Sequence, residues 1–256
     1  MRETADIETS SDDYASRFSG PVGTWMLDVQ ERAVRTLLGD PGGRTLLDVG
    51  GGHGQLAGPL ARAGWRVAVL GSDTACARRI APLVAAGTVW FVAGDILALP
   101  FPDRSFDCVV SVRLLPHCER WPALVAELCR VARHAVIVDY PTSESLNRVA
   151  PALFGAKKRI EKNTRTFTLF THREVAAAFT ARGYAPAGRI GQFFLPMVLH
   201  RALRCRPCSS TLETLARAAG LTRRWGSPVV LKARPADTRN QGPAGSAAAD
   251  EHPSAA

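Results

Sequence analysis

Leu46-Leu47-Asp48-Val49-Gly50-Gly51-Gly52-His53-Gly54, residues 46–54, reads as a short buried strand that ends in a glycine-rich turn, with a helical pattern following over 54–63. Glycines at 50, 52 and 54 let the backbone approach a ligand closely at the carboxyl end of a strand, where doubly wound sheets bind nucleotides. On either side, apolar and β-branched runs alternate with helical patterns. Strands are expected at 45–49, 65–70, 88–92, 106–112 and 134–140, and helices at 54–63, 74–86 and 119–132. Near-continuous apolar strands separated by helices predict an α/β domain with a parallel, doubly wound sheet. A helix carrying Met26, Val29, Ala33, Val34, Leu37 and Leu38 at helical spacing precedes the first strand. The 95–105 crossover carries two prolines and reads as loop. After 140 the rhythm loosens to a helix at 172–182, a strand near 184–193, a basic helical stretch at 197–219 and a last strand at 228–233.

The glycine loop by itself is ambiguous. Gly52, Gly54 and Ala57 satisfy the dinucleotide pattern G-x-G-x-x-A, and Asp73 lies 21 positions after Gly52, where an NAD enzyme keeps its ribose-binding acid. Three features separate the readings. Asp48 puts a carboxylate beside the loop, which disfavours a pyrophosphate and suits a ligand with ammonium and sulfonium groups. Gly71-Ser72-Asp73 ends the second strand, within reach of a ribose diol. Gly94-Asp95 follows the third strand and leads into Leu99-Pro100-Phe101-Pro102-Asp103-Arg104-Ser105-Phe106-Asp107.

In combination these residues resemble the class I S-adenosylmethionine-dependent methyltransferases, closest to the type 11 group that includes ubiquinone/menaquinone-biosynthesis C-methyltransferases. The resemblance covers roughly residues 14–140. It implies a Rossmann-like, mostly parallel seven-stranded sheet with helices on both faces and an acceptor-side insertion. It also implies that Asp48, Gly50, Gly52 and Gly54 border the methionine moiety of S-adenosyl-L-methionine, that Asp73 binds the ribose diol, and that Asp95 receives the adenine amino group with Ile96 stacking nearby. The Pro-Gly-Gly turn usual before the fifth strand is replaced by Ala132-Arg133-His134. Asp107, opening the fourth strand, reads as a turn acceptor and not as a ligand.

Methyl transfer from a sulfonium is an in-line displacement that depends mainly on alignment, so no conspicuous catalytic cluster is required. Where the acceptor needs a base or an orienting group, the candidates are His117, with Glu119 two residues on, Tyr140 at the end of strand five, and Tyr14 in the leader. His172 reads as a helix first-turn residue, bracketed by Thr171 and Glu174 at capping-box spacing. His53 reads as a loop residue near the methionine end.

The formal net charge of +9 is uneven: residues 1–15 carry −4, 16–142 carry +2, 143–235 carry +13 and 236–256 carry −2. The basic character therefore belongs to the acceptor side, with Arg148, Lys157, Lys158, Arg159, Lys162, Arg165 and Arg173 after strand five. This points to a small-molecule or lipid-like, anionic acceptor, or to contact with a membrane surface. Phe167, Phe170, Phe193, Phe194, Leu195 and Met197 offer an apolar partner surface. The rival readings are an RNA-modifying methyltransferase or nucleic-acid-binding module using the basic third, for which no aromatic-basic motif speaks, and an NAD-dependent dehydrogenase.

The expected organisation is a disordered leader over 1–13, a methyltransferase domain over 14–235 (cofactor half 14–142, acceptor-side elaboration 143–235) and a disordered tail over 236–256. The polar, acidic start and the lack of a run of about 18 apolar residues predict a cytoplasmic chain. The six cysteines read as free thiols. Cys205 and Cys208 form a C-x-x-C near His200, but without a second pair no metal site is expected.

Overall fold

The computed structural model describes residues 3–40, 44–145 and 167–236. Its strands are β1 (Thr45–Val49), β2 (Arg66–Gly71), β3 (Trp90–Ala93), β4 (Phe106–Ser111), β5 (Ala132–Tyr140), β6 (Tyr184–Phe193) and β7 (Ser227–Pro235). They form one seven-stranded sheet in the order β3-β2-β1-β4-β5-β7-β6. Strands β1 to β5 run parallel, and β7 enters antiparallel between β5 and β6. The chain reverses its winding between β1 and β4, so a crevice opens at the carboxyl ends of these central strands.

The helices are α1 (Ala5–Thr9), α2 (Asp12–Ser16), α3 (Gly20–Leu38), α4 (Ala57–Arg62), α5 (Ala81–Ala85), α6 (Trp121–Val131), α7 (His172–Thr180), α8 (Met197–Leu203), α9 (Arg206–Ala218) and α10 (Leu221–Trp225). Strand alternation divides the core. Leu47, Val49, Val109, Val136 and Val138 face α6 and α7 through Leu124, Leu128, Val175 and Phe179. Leu46, Val67, Val69, Val110 and Ile137 face α3 and α4 through Ala33, Val34, Leu38 and Leu60. Burial of each large side chain contributes about 1.5–3 kcal/mol, so these two layers dominate the stability of the sheet.

Three expectations change in detail. The helix over 74–86 becomes a 3₁₀ turn at Thr74–Ile80, capped by the Asp73 carboxylate at the Ala75 N–H (2.8 Å), followed by the short α5. The basic helix over 197–219 breaks into α8 and α9, because Pro207 has no N–H to continue the first helix. Where a Pro-Gly-Gly turn was missing, β5 starts at Ala132 directly after α6 ends at Val131, and Asp107 anchors the junction through Arg133 (2.8 Å) and the Thr45 N–H (2.9 Å).

The disordered leader expected over 1–13 is overturned where it is described. Its acidic residues find partners: Asp12 pairs with Arg78 and with Arg79 (2.6 Å), Ser11 caps α2 at the Tyr14 N–H, and Asp6 is fully buried. The tail over 237–256 lies outside the described residues. No described helix is long and apolar enough to cross a membrane.

Candidate functional site

At the end of β1 the chain turns through Gly50 (φ +75°) and Gly54 (φ +79°), a left-handed conformation that only glycine adopts without strain. Between them, a Cβ on Gly51 would fall 2.2 Å from the Asp48 carboxyl, and one on Gly52 would fall 2.3 Å from the Cys76 carbonyl oxygen. The loop therefore lies flat on Asp48, and His53 is the one residue of it whose side chain lines the crevice. Asp73 stands exposed at the end of β2, and Asp95 is half-buried after β3, where it accepts from the Leu97 N–H (2.9 Å). Gly50, Gly52, Gly54, Asp48, Asp73 and Asp95 thus all sit at the carboxyl ends of adjacent strands. Ile96 is fully buried and joins the apolar layer with Leu70 and Leu99.

Asp48 lies beside the loop, as its place in the sequence implies, and is buried beneath it. It is 1% exposed, burial raises its pKa to about 7 against the opposing pull of Arg113, and its Oδ1 has no hydrogen-bond partner. Arg113 follows β4 with φ +61° and is held from three sides. Its N–H donates to Asp139 (2.5 Å), its Nε donates to Gln30 (2.9 Å), and Gln30 donates in turn to Asp139 (2.5 Å). The guanidinium lies 4.5 Å from the Phe18 ring centroid and contacts the Tyr14 hydroxyl, yet its Nη1 is buried without a partner. Burial also raises Asp139 to about 6. His53 completes the wall. Burial and the nearby Arg113 and Arg79 lower its pKa to about 3, so the ring is neutral, and neither ring nitrogen has a partner.

The roof is the leader. Asp6 accepts from the Ser72 N–H (2.5 Å) at the end of β2, its second oxygen is buried without a partner, and its Cβ lies 3.5 Å from the place of a Gly50 Cβ. The Ser10 hydroxyl sits 2.3 Å from the place of a Gly52 Cβ. What remains open is a cavity of about 20 Å³ lined by Thr9, Tyr14, Asp48, His53 and Arg113, among others. That holds about one water, against the roughly 300–1,000 Å³ of ordinary ligand pockets.

On the acceptor side, His117 ends a 3₁₀ turn (Leu115–His117) and packs against Phe167 (5.6 Å between ring centroids) and Tyr14 (6.4 Å). Tyr14 and His117 are therefore brought together, while Glu119 is exposed just beyond. Tyr140 is not part of this group. Strand alternation turns it away from Asp139, to the other face of the sheet, where its hydroxyl meets His172 Nδ1 (2.9 Å) and its ring meets Phe170. His172 opens α7 under the capping box of Thr171 and Glu174. Phe170 and Phe193 are core residues, whereas Phe167 is exposed and Met197 packs beside Tyr14 and Phe18. Arg173 is exposed, and Arg148, Lys157, Lys158, Arg159, Lys162 and Arg165 lie outside the described residues.

Sequence reasoning missed Asp6, Gln30, Arg113 and Asp139. Two carried a signal: Gln30 interrupts the apolar stripe of α3, and Asp139 interrupts the apolar run of β5, and a buried polar residue is informative. The free-thiol reading also changes, because Cys205 and Cys208 are joined in a disulfide, while the other four cysteines are free and buried. Among the described residues no cluster of His, Cys, Asp and Glu is arranged to hold a metal.

Residues 47–138 match a family described as a methyltransferase domain. An uncharacterized methyltransferase of Mycobacterium avium is 44% identical over 91 residues, which is 36% of this chain and 36% of that protein. A fatty-acid O-methyltransferase of Mycolicibacterium smegmatis is 37% identical over 102 residues, 37% of this chain and 35% of that protein. The chain thus spans about a third of the length of the curated relatives it matches. The crystal structure of magnesium protoporphyrin IX methyltransferase from Synechocystis PCC 6803, with bound SAH, superposes with a TM-score of 0.59 at 17% identity, covering 87% of this chain and 93% of that one. That likeness carries the fold.

Proposed function

We propose, from a chain whose residues 47–138 match a methyltransferase domain and lie in a Rossmann-like sheet, that the protein is an S-adenosylmethionine-dependent methyltransferase acting on a small-molecule or lipid-like acceptor. The observation that carries this reading is a pair of unsatisfied buried atoms of opposite charge, Asp48 Oδ1 and Arg113 Nη1, in one cavity beside the glycine loop. Unpartnered buried polar groups are costly, so their persistence points to a ligand that satisfies both. The ammonium and carboxylate of an amino-acid moiety do so, and a dinucleotide pyrophosphate would leave Asp48 opposed by like charge. When bound, S-adenosylmethionine supplies an electrophilic methyl on its sulfonium.

The chain's own residues then have separable tasks. Gly50, Gly52 and Gly54 present backbone to the methionine end, Asp73 accepts from the ribose hydroxyls, and Asp95 accepts from the adenine amino group, with Ile96 supporting that end from the core. Asp139 and Gln30 hold Arg113 in place. His117 and Tyr14 orient the acceptor, and a hydroxyl or carboxyl acceptor that needs deprotonation finds its base in His117. An acceptor with an apolar body and an anionic head is supported by Arg201, which lies 5.3 Å from the Phe18 ring centroid. The fatty-acid O-methyltransferase among the relatives is consistent with that chemistry.

Calorimetry with S-adenosylmethionine, S-adenosylhomocysteine and NADH tests the cofactor. Asp73→Ala is expected to lose charge-assisted hydrogen bonds of about 1.5–3 kcal/mol, or roughly 10- to 150-fold in affinity for the first two. Tighter NADH binding, or an unchanged mutant, sinks the assignment. On the acceptor side, His117→Ala is expected to lower turnover while cofactor affinity and melting temperature stay within error. Equal losses of stability and activity would assign His117 to packing.

A further inference from the structure

We propose that Cys205 and Cys208 form a thiol–disulfide exchange site, separate from the methyl-transfer site, whose substrates are small thiols and disulfides of the glutathione class. The two cysteines bracket Arg206 and Pro207 at the start of the 13-residue α9, are joined in a disulfide, and have Cα atoms 5.3 Å apart. A structural role explains this bond poorly. It closes a loop of only four residues, and the entropic gain from a cross-link grows with the length of the loop closed.

Position and charge favour reactivity instead. Cys205 is the N-cap of α9, and its sulfur accepts from the Cys208 N–H at 3.3 Å. A thiolate at a helix N-terminus near arginines is stabilised. Arg204 and Arg206 flank Cys205, and Glu213, the lone acid between 196 and 226, is buried and occupied by His200 (3.0 Å) and the Phe194 and Leu195 N–H groups (both 2.8 Å). Cys208 is exposed and Cys205 is half-buried. The other cysteines cannot compete: all four are buried, and burial pushes Cys118 and Cys129 up to about 12.

These facts set the order of events. An incoming glutathione thiolate attacks the exposed Cys208 sulfur, the Cys205–Cys208 bond breaks, and Cys205 leaves as the stabilised thiolate. A second glutathione thiolate attacks the glutathione sulfur of the mixed disulfide, forming glutathione disulfide and releasing the Cys208 thiolate. Two thiols are oxidised and one disulfide is reduced. The reverse sequence consumes glutathione disulfide, with Cys205 closing the ring.

The test equilibrates the full chain with buffers of set ratios of reduced to oxidised glutathione, traps thiols with N-ethylmaleimide, and maps the label by mass spectrometry. The expected result is two labels per chain, confined to Cys205 and Cys208, with occupancy titrating across the glutathione ratio. Cys205→Ser is expected to accumulate a mixed disulfide with glutathione on Cys208. In Cys208→Ser, iodoacetamide should alkylate Cys205 at pH 7 about tenfold faster than an unperturbed thiol, whose pKa is about 8.5. A pair that stays bonded or stays reduced at every ratio overturns the proposal. So does a Cys205 that titrates near 8.5 in Cys208→Ser while the natural chain fails to exchange.

Discussion

The floor and the roof of the crevice are built by opposite means. The floor, residues 46–54, is backbone: Gly50 and Gly54 adopt left-handed φ values, and Gly52 leaves no room for a Cβ against the Cys76 carbonyl. The roof, α1 and α2, is side chain: Asp6 on the Ser72 N–H, and Asp12 on Arg78 and Arg79. A backbone floor is fixed by neighbouring residues and moves little. Exposed ion pairs such as those of Asp12 contribute about 0–1 kcal/mol each, and Asp6 holds one carboxylate oxygen buried and unpartnered, so the roof is the element that yields. The cavity between them is about 20 Å³, so a ligand of cofactor size is expected to bind with α1 displaced.

Gly52→Val puts the largest strain on this contrast. Its Cβ would lie 2.3 Å from a backbone oxygen, and such overpacking costs about 1–3 kcal/mol or more. S-adenosylmethionine affinity is expected to fall at least about 100-fold by calorimetry, with a lower melting temperature. Deleting residues 1–11 should not rescue the variant, because the Cys76 carbonyl stays. A rescue by deletion would mean that the Ser10 contact, and hence the roof, had caused the loss.

In the natural chain, the same deletion is expected to act in the opposite direction. If α1 closes the crevice about nine-tenths of the time, removing it tightens apparent S-adenosylmethionine affinity about tenfold, since affinity scales with the open fraction. A faster association rate in stopped flow would accompany it. Weaker binding after deletion would show that the leader contributes contacts to the bound state.

The smallest effect expected is with pH. Burial holds the Asp48 pKa near 7, above the 3.8 of an ordinary carboxyl, so the folded chain keeps a proton that the unfolded chain has lost. The unligated fold therefore loses stability as pH rises from about 4 to about 7. A ligand ammonium favours the ionised carboxylate, so affinity is expected to rise severalfold between pH 6 and 8, with a proton released on binding at the lower pH. Asp48→Asn should abolish that slope. A slope that survives the substitution would assign it to Asp139, whose carboxyl burial raises to about 6.

The parts of this molecule that were legible share one property. β6 occupies the expected 184–193, β1 the expected 45–49, and the capping box of Thr171 and Glu174 forms as its spacing implies. In each case the deciding interaction is between residues close in the chain, or is the alternation of apolar side chains along one strand. Asp107 does act as a backbone acceptor and not as a ligand, but the N–H it accepts is that of Thr45, 62 residues away, which no local pattern announces. The leader defeated the same reasoning because its composition is that of a disordered segment, and its partners, Ser72, Arg78 and Arg79, lie 66 or 67 residues away in the chain.

Sequence by itself determined the winding of the sheet, the glycine loop after β1 and the acids at the carboxyl ends of β1, β2 and β3, because periodicity and left-handed turns are set by local sterics. Only the tertiary structure decided that Asp48 is buried, that Arg113 lines the same cavity, and that the acidic leader closes the site. Each of those depends on desolvation and charge pairing between segments that the fold alone brings together.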